Sequence, residues 1–165
     1  MTTFEDYAQA NLPGLLRLAG VLSRDRHTAE DVVQEVLFRA SQRWDQVSAS
    51  AAPDAYVRRM VVNEYLSWRR KWARITPRSE IDADHLAPDH ADALAERDEM
   101  AIRLKALPAR QRAVLVLRYY EGMSDEQIAE TLGCSSGAVR TAASRALASL
   151  RVEPQDVLLL NRKAH

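Results

Sequence analysis

SDEQIAETLGCSSGAVRTAASRALASLR, residues 124–151, is the stretch that decides the fold. Ser124 stands three residues before Gln127, the S-x-x-Q spacing of a capping box that opens a helix. Ile128, Ala129 and Leu132 give this short helix an apolar face, and Gly133 supplies the left-handed residue that ends it. Cys134 continues the turn, and Ser135 or Ser136 caps a second helix that runs to about Leu150. A short helix, a glycine-containing turn and a longer helix make a helix-turn-helix. In the second helix Val139, Ala143, Leu147 and Leu150 share the inward face, and Arg140, Thr141, Ser144 and Arg145 face out. Small and hydroxyl side chains let a helix lie deep in the DNA major groove, where the two arginines reach phosphates or guanine edges. The alternative is a plain helix pair with a solvated face. Such a face ordinarily carries Glu and Lys, and this helix has neither, so the DNA reading is preferred.

Upstream, the helix PARQRAVLVLRYYEG (108–122) ends at Gly122, with Pro108 suited to its first turn. Met100, Leu104 and Leu107 lead into it, so a second helical domain spans 98–151. Before it, 75–97 reads as a flexible acidic linker. It holds Pro77 and Pro88, no sustained apolar period, and, counted on to Glu99, eight acids against Arg78 and Arg97. The acidic stretch separates two basic ones. Between 55 and 74 stand Arg58, Arg59, Arg69, Arg70, Lys71 and Arg74 with Glu64 as the one acid; between 134 and 151 stand Arg140, Arg145 and Arg151 with none. A formal net charge of zero therefore hides segregated charge, which suits local phosphate contacts.

The first domain, 1–74, is also helical by pattern. Leu15, Leu16, Leu18, Ala19 and Leu22 recur at helical spacing, and a break follows around 23–27. Thr28 is a plausible cap for the next helix, whose stripe is Ala29, Val32, Val33, Val36, Leu37, Ala40 and Trp44. Asp31, Gln34, Glu35 and Phe38 lie on or beside the other side. Residues 47–54 read as a loop from their small residues and Pro53, and Asp54 is placed to cap the helix from Ala55 to about Arg74. That helix has two faces. Val61, Tyr65, Trp68 and Trp72 follow one helical register and read as core; Asn63, Ser67, Arg70 and Arg74 follow another, polar and cationic. The expected architecture is thus all-α: two small helical domains on a linker, followed by a tail, 152–165, that the pattern leaves unexplained.

Composition narrows the function classes. The chain's 165 residues suffice for two small domains, and no run of about eighteen apolar residues is present, so no membrane association is expected. The N-terminus lacks the basic region of a signal peptide, and the single cysteine, Cys134, excludes an intramolecular disulfide and fits a cytoplasmic protein. Four scattered histidines, no Cys/His cluster and no glycine-rich phosphate loop leave no expected metal, cofactor or catalytic residue. A small turn residue is the plainer reading of Cys134 than a redox role.

Three segments together resemble one family. LPARQRAVLVLRYYEGMSDEQIAETLGCSSGAVRTAASRALASLR (107–151) resembles the C-terminal promoter-binding domain of bacterial RNA polymerase sigma factors. AEDVVQEVLFRASQRW (29–44) resembles the helix by which those factors hold polymerase, and VRRMVVNEYLSWRRKW (57–72) resembles their segment that reads the melted −10 element. Order and spacing are those of the two-domain extracytoplasmic-function group, over roughly residues 5–151. The resemblance implies a non-enzymatic initiation factor that binds core RNA polymerase and promoter DNA, with an anti-sigma protein as a further partner common in the family.

It also implies roles for particular residues. Asp31, Gln34, Glu35 and Phe38 would meet the clamp helices of the largest polymerase subunit, although residue type alone favours a solvated surface for Asp31 and Glu35 and a core position for Phe38. Asn63, Ser67, Arg69, Arg70 and Arg74 would lie along the −10 strand, although a plain basic surface has the same composition. Many members carry Asp where this chain has Ser67. The loop 47–54 stands where the family captures an unstacked −10 base, and Ser135, Ser136, Arg140, Thr141, Ser144 and Arg145 would face the −35 duplex. The rivals are a free-standing helix-turn-helix repressor and a protein-binding helical scaffold. The first has no need of a basic helix separate from its reading head; the acid-free recognition helix speaks against the second.

Overall fold

The computed structural model describes residues 2–75, 103–104 and 106–151. The chain divides into two compact units, Met1–Pro77 and Arg78–His165. Every regular element among the described residues is helical, so the all-α expectation holds. Apart from Ile75, the expected linker 75–97 lies outside the described residues, as do Met100 and the tail 152–165.

In the first unit α1 spans Phe4–Ser23, with the Thr3 hydroxyl accepting from the Asp6 amide at 3.2 Å. Its apolar register buries Tyr7, Leu15, Leu18, Ala19 and Leu22. The chain reverses at Arg24, held in the left-handed region at φ 59 with its amide on the Gly20 carbonyl. Helix α2, Arg26–Gln42, begins earlier than expected because Asp25, not Thr28, is its cap. The Asp25 carboxylate accepts from the Thr28 amide at 2.7 Å and from its hydroxyl at 2.6 Å, which leaves Thr28 buried inside the first turn. An acid at this position also complements the positive end of the helix dipole.

The expected loop 47–54 is shorter than its composition suggests, with helix at both of its ends. A short α3, Trp44–Ser48, takes Val47 into the core with no exposed surface, and α4, Pro53–Ile75, starts at the proline. Only 49–52 stay irregular, closed by the Ser50 hydroxyl donating to the Val47 carbonyl at 2.7 Å. Proline is at home at a helix start, where its missing N–H has no partner to lose. Helices α1, α2 and α4 pack on one another around Val32, Val33, Val36, Val57, Val61, Val62 and Tyr65, and α3 braces α2 and α4. Each such side chain contributes about 1.5–3 kcal/mol when fully buried.

The second unit is built around α5, Ala109–Leu115. Its run Ala113–Leu117 is buried on every side, as a helix at the centre of its domain must be. Pro108 lies just ahead of α5 rather than in its first turn. The helix widens into a π turn over Val116–Tyr120, where the Glu121 amide reaches back to the Val116 carbonyl at 3.0 Å. Gly122, at φ 67, turns the chain into α6, Asp125–Leu132. The expected capping box is present: Gln127 N donates to Ser124 Oγ at 3.2 Å and Ser124 N to Gln127 Oε1 at 2.9 Å. Gly133, at φ 63, ends α6, and Ser135 caps α7, Ser136–Leu150. No helix among the described residues is long and apolar enough to cross a membrane.

Candidate functional site

Helix α7 buries Val139, Ala143, Ala146 and Leu150 against α5 and α6. Ala146 takes the place expected for Leu147, which is half-buried; a short side chain there lets the helices approach closely. Of the six expected DNA-facing residues, Ser135, Arg140, Thr141, Ser144 and Arg145 are exposed and Ser136 is half-buried. The Thr141 hydroxyl donates to the Gly137 carbonyl at 3.0 Å, leaving its oxygen free to accept. No acid stands anywhere on this helix, so both guanidinium groups present undiluted positive charge.

The support beneath this surface is polar. Arg112 is 2% exposed, and its Nη1 donates to the carbonyls of Leu104 and Leu107, closing the turn that leads into α5. Arg118, on the π turn, pairs with Asp125 in the first turn of α6. Burial works against the Arg118 charge, but hydrogen bonds with Asp125 and Tyr119 more than restore it and hold its pKa above the ordinary value. The π turn thus aims Arg118 at the start of the helix-turn-helix, a detail that periodicity could not reveal.

In the first unit α4 presents Asn63, Arg70 and Arg74 as exposed side chains, with Ser67 and Arg69 half-buried beside them. The aromatic register departs from expectation. Tyr65 is buried, but Trp68 is half-exposed and Trp72 is 47% exposed. The three rings form a ladder with centroid separations of 6.4 Å and 5.7 Å and near-parallel planes. The reason is the reach of the helix: no described side chain of α4 beyond Tyr65 is buried, so the periodicity continues after the neighbouring helices have ended their cover.

On α2, Asp31 and Gln34 are exposed, Glu35 is half-buried and Phe38 is 58% exposed. Phe38 is therefore not a core residue. All four sit opposite the buried stripe Ala29, Val32, Val33, Val36 and Ala40. Arg39 borders this face. Its Nε lies 2.6 Å from Glu35 Oε1 and its Nη1 2.7 Å from Glu64 Oε2 on α4.

A feature missed by pattern reading lies at the α3–α4 junction. A cleft of about 360 Å³ is lined by Thr2, Tyr7, Trp44, Ser48, Ala49 and Pro53. Trp44 packs between Phe4 and Tyr7, and its Nε1 donates to the Thr2 carbonyl at 3.0 Å. The Tyr7 hydroxyl donates to Asp54 at 3.3 Å, and Asp54 also accepts from Arg58 at 2.9 Å. Burial, reinforced by the Asp54 charge, pushes the Tyr7 phenol above its usual range, so it remains a donor. The cleft joins residues about forty positions apart, and the only sequence signal was an indole at the end of the α2 stripe. Among the described residues no group of His, Cys, Asp and Glu could hold a metal ion.

Comparison with known proteins divides the chain in the same way. Residues 7–75 match the family model for sigma-70 region 2, and 97–150 match the model for sigma-70 region 4. The chain is 37% identical over 154 residues to the RNA polymerase sigma-E factor of Streptomyces avermitilis, covering 91% of this chain and 84% of that one. It is 33% identical over 148 residues to the ECF RNA polymerase sigma factor SigL of Mycobacterium tuberculosis, covering 87% and 84% respectively. Among solved structures it resembles the sigma factor RpoE in complex with the anti-sigma factor NepR from Bartonella quintana, with a TM-score of 0.66, 28% identity and coverage of 96% of this chain and 98% of that one.

Proposed function

The chain belongs to the RNA polymerase sigma factors of the extracytoplasmic-function group, and from that membership we propose how its surfaces divide the work of initiation. It binds core RNA polymerase and directs promoter-specific transcription initiation. The domain carrying α1–α4, residues 1–74, grips polymerase through Asp31, Gln34, Glu35 and Phe38 on α2. The same domain holds the −10 strand with Asn63, Ser67, Arg69, Arg70 and Arg74 on α4. Cationic side chains hold the phosphates, and Asn63 suits a base edge. The α3–α4 turn and its cleft receive an unstacked base. An extruded base needs a snug pocket, and Trp44 and Tyr7 offer this one aromatic walls. The domain 98–151 reads the −35 duplex with Ser135, Ser136, Arg140, Thr141, Ser144 and Arg145 on and before α7.

One observation carries this reading: an exposed cationic helix in the first unit, separate from the helix-turn-helix of the second. A free-standing repressor would need only the latter. The chain itself performs no catalysis; polymerase supplies it, and strand opening draws on binding energy for the exposed strand. It acts in the cytoplasm, where polymerase is, with an anti-sigma protein as restraining partner, as the solved relative has one.

The test is promoter-directed RNA synthesis by purified core polymerase with and without this protein. It is paired with promoter affinity of the free chain and of the chain with core at one salt concentration. Net charge is zero, so long-range steering is weak, and a linker cannot by itself set the spacing of two short DNA elements. The free chain should bind promoter duplex poorly and become selective only with core. Tight, selective binding by the free chain would overturn the reading.

A further inference from the structure

Arg39 lies between the outer face of α2 and the cationic helix α4. On one side is Glu35, in the face of α2 read as polymerase-docking; on the other is Glu64, the only acid between 55 and 74 on the cationic helix α4. The guanidinium forks across both, with Nε on Glu35 and Nη1 on Glu64. The two partners differ. Glu35 and Arg39 side chains are each 43% exposed, whereas the Glu64 side chain is 13% exposed. A surface i,i+4 pair such as Arg39–Glu35 is worth little. The carboxylate of Glu64 is largely shut off from water, and removing its partner leaves a poorly screened negative charge. That charge belongs to the residue next to Asn63, one helical turn before Trp68 and within two turns of Arg70.

We propose that Arg39 is a positioning residue for promoter engagement: it neutralises Glu64 and holds its carboxylate away from the DNA face of α4, tying the promoter-reading helix to the polymerase-docking helix. The proposal rests on the assignment of α4 to the −10 strand. Arg39 touches no DNA in this scheme. It keeps Glu64, the acid beside Asn63 on the reading helix, electrically silent, and its hold on Glu35 registers α4 against the surface that polymerase grips.

The test uses holoenzyme assembled from core polymerase and the full chain, with a promoter fork exposing the −10 strand. Arg39→Ala should weaken fork binding about 3- to 20-fold, the order expected of one weakly screened charge about 8–10 Å from a phosphate. Its salt dependence should become shallower, because added salt screens the exposed Glu64 charge. Adding Glu64→Gln to Arg39→Ala should restore affinity and slope to within about twofold of the parent, since the amide carries no charge. Core affinity of Arg39→Ala, measured separately, should change less than about threefold, as expected of a surface pair. A purely packing role for Arg39 would show as a loss that Glu64→Gln does not rescue and an unchanged salt slope, and either result overturns the proposal, as does an unaltered Arg39→Ala. Arg70→Ala serves as the control on the underlying assignment: if it leaves fork binding intact, the reading of α4 fails; if it weakens binding while Arg39→Ala does not, only the role of Arg39 fails.

Discussion

Replacing Phe38 by Ala should separate binding from folding. The side chain is 58% exposed in the free protein. A phenylalanine offers on the order of 200 Å² when fully exposed, so Phe38 leaves roughly 120 Å² of apolar surface in water. Burying all of it against a partner is worth about 3 kcal/mol at about 25 cal/mol per Å², and half coverage about 1.5 kcal/mol. Truncation should therefore weaken core polymerase binding by about 10- to 100-fold. Stability should change by no more than about 0.5 kcal/mol, because the site is on the surface and Ala is the better helix former. The assay is equilibrium binding of labelled protein to core polymerase, alongside thermal unfolding of the free chain. A loss below about threefold at unchanged stability would refute docking through Phe38, since a hot-spot aromatic at an interface costs more than that. A melting temperature that falls in step with affinity would show instead that Phe38 supports the fold.

The other predictions address the helix-turn-helix and the caps. Arg140→Ala or Arg145→Ala should cost about 1–3 kcal/mol of base discrimination if the side chain grips guanine, or lower the salt slope by about one evenly across sequences if it holds phosphate; a panel of −35 variants distinguishes these, and no effect on −35-dependent transcription excludes both residues from the interface. Ser124→Ala breaks the capping box and should destabilise the second unit by about 1 kcal/mol. All three tryptophans lie in the first unit, so hydrogen exchange in α6 should quicken while the tryptophan fluorescence transition stays in place. At Asp25, burial opposes the charge, but the hydroxyl and amide of Thr28, aided by His27, prevail and hold the carboxyl below its usual range. A depressed folded pKa means that the cap contributes fully above the unfolded value of about 3.9 and loses its effect as pH falls through the lower folded one. Asp25→Ala should then cost about 1 kcal/mol at neutral pH, with the gap from the parent closing below about pH 4 in acid-dependent melting curves.

Local grammar wrote much of this protein in plain sight. The Ser124–Gln127 box, Gly133 and the Ser135 cap are short-range devices, each satisfied within about four residues, and their geometry follows wherever the sequence appears. The buried stripe of α2 and the outward set on α7 came from helical period alone, and the split of charge between the reading helices and the acidic stretch from the order of charged residues along the chain. The tertiary structure decided what period cannot. Trp68 and Trp72 repeat at core spacing, yet whether a repeated position is covered depends on where the neighbouring helices end. Asp25 displaced Thr28 as cap because both are good caps and packing of the buried Thr28 chose between them. Val47 left its expected loop because the core between α2, α3 and α4 had room for it. The cleft beside Trp44 and the Arg39 fork join side chains that are dozens of residues apart or on different helices. Such pairings arise only when the chain has closed its long-range contacts, and no local rule of spacing encodes them.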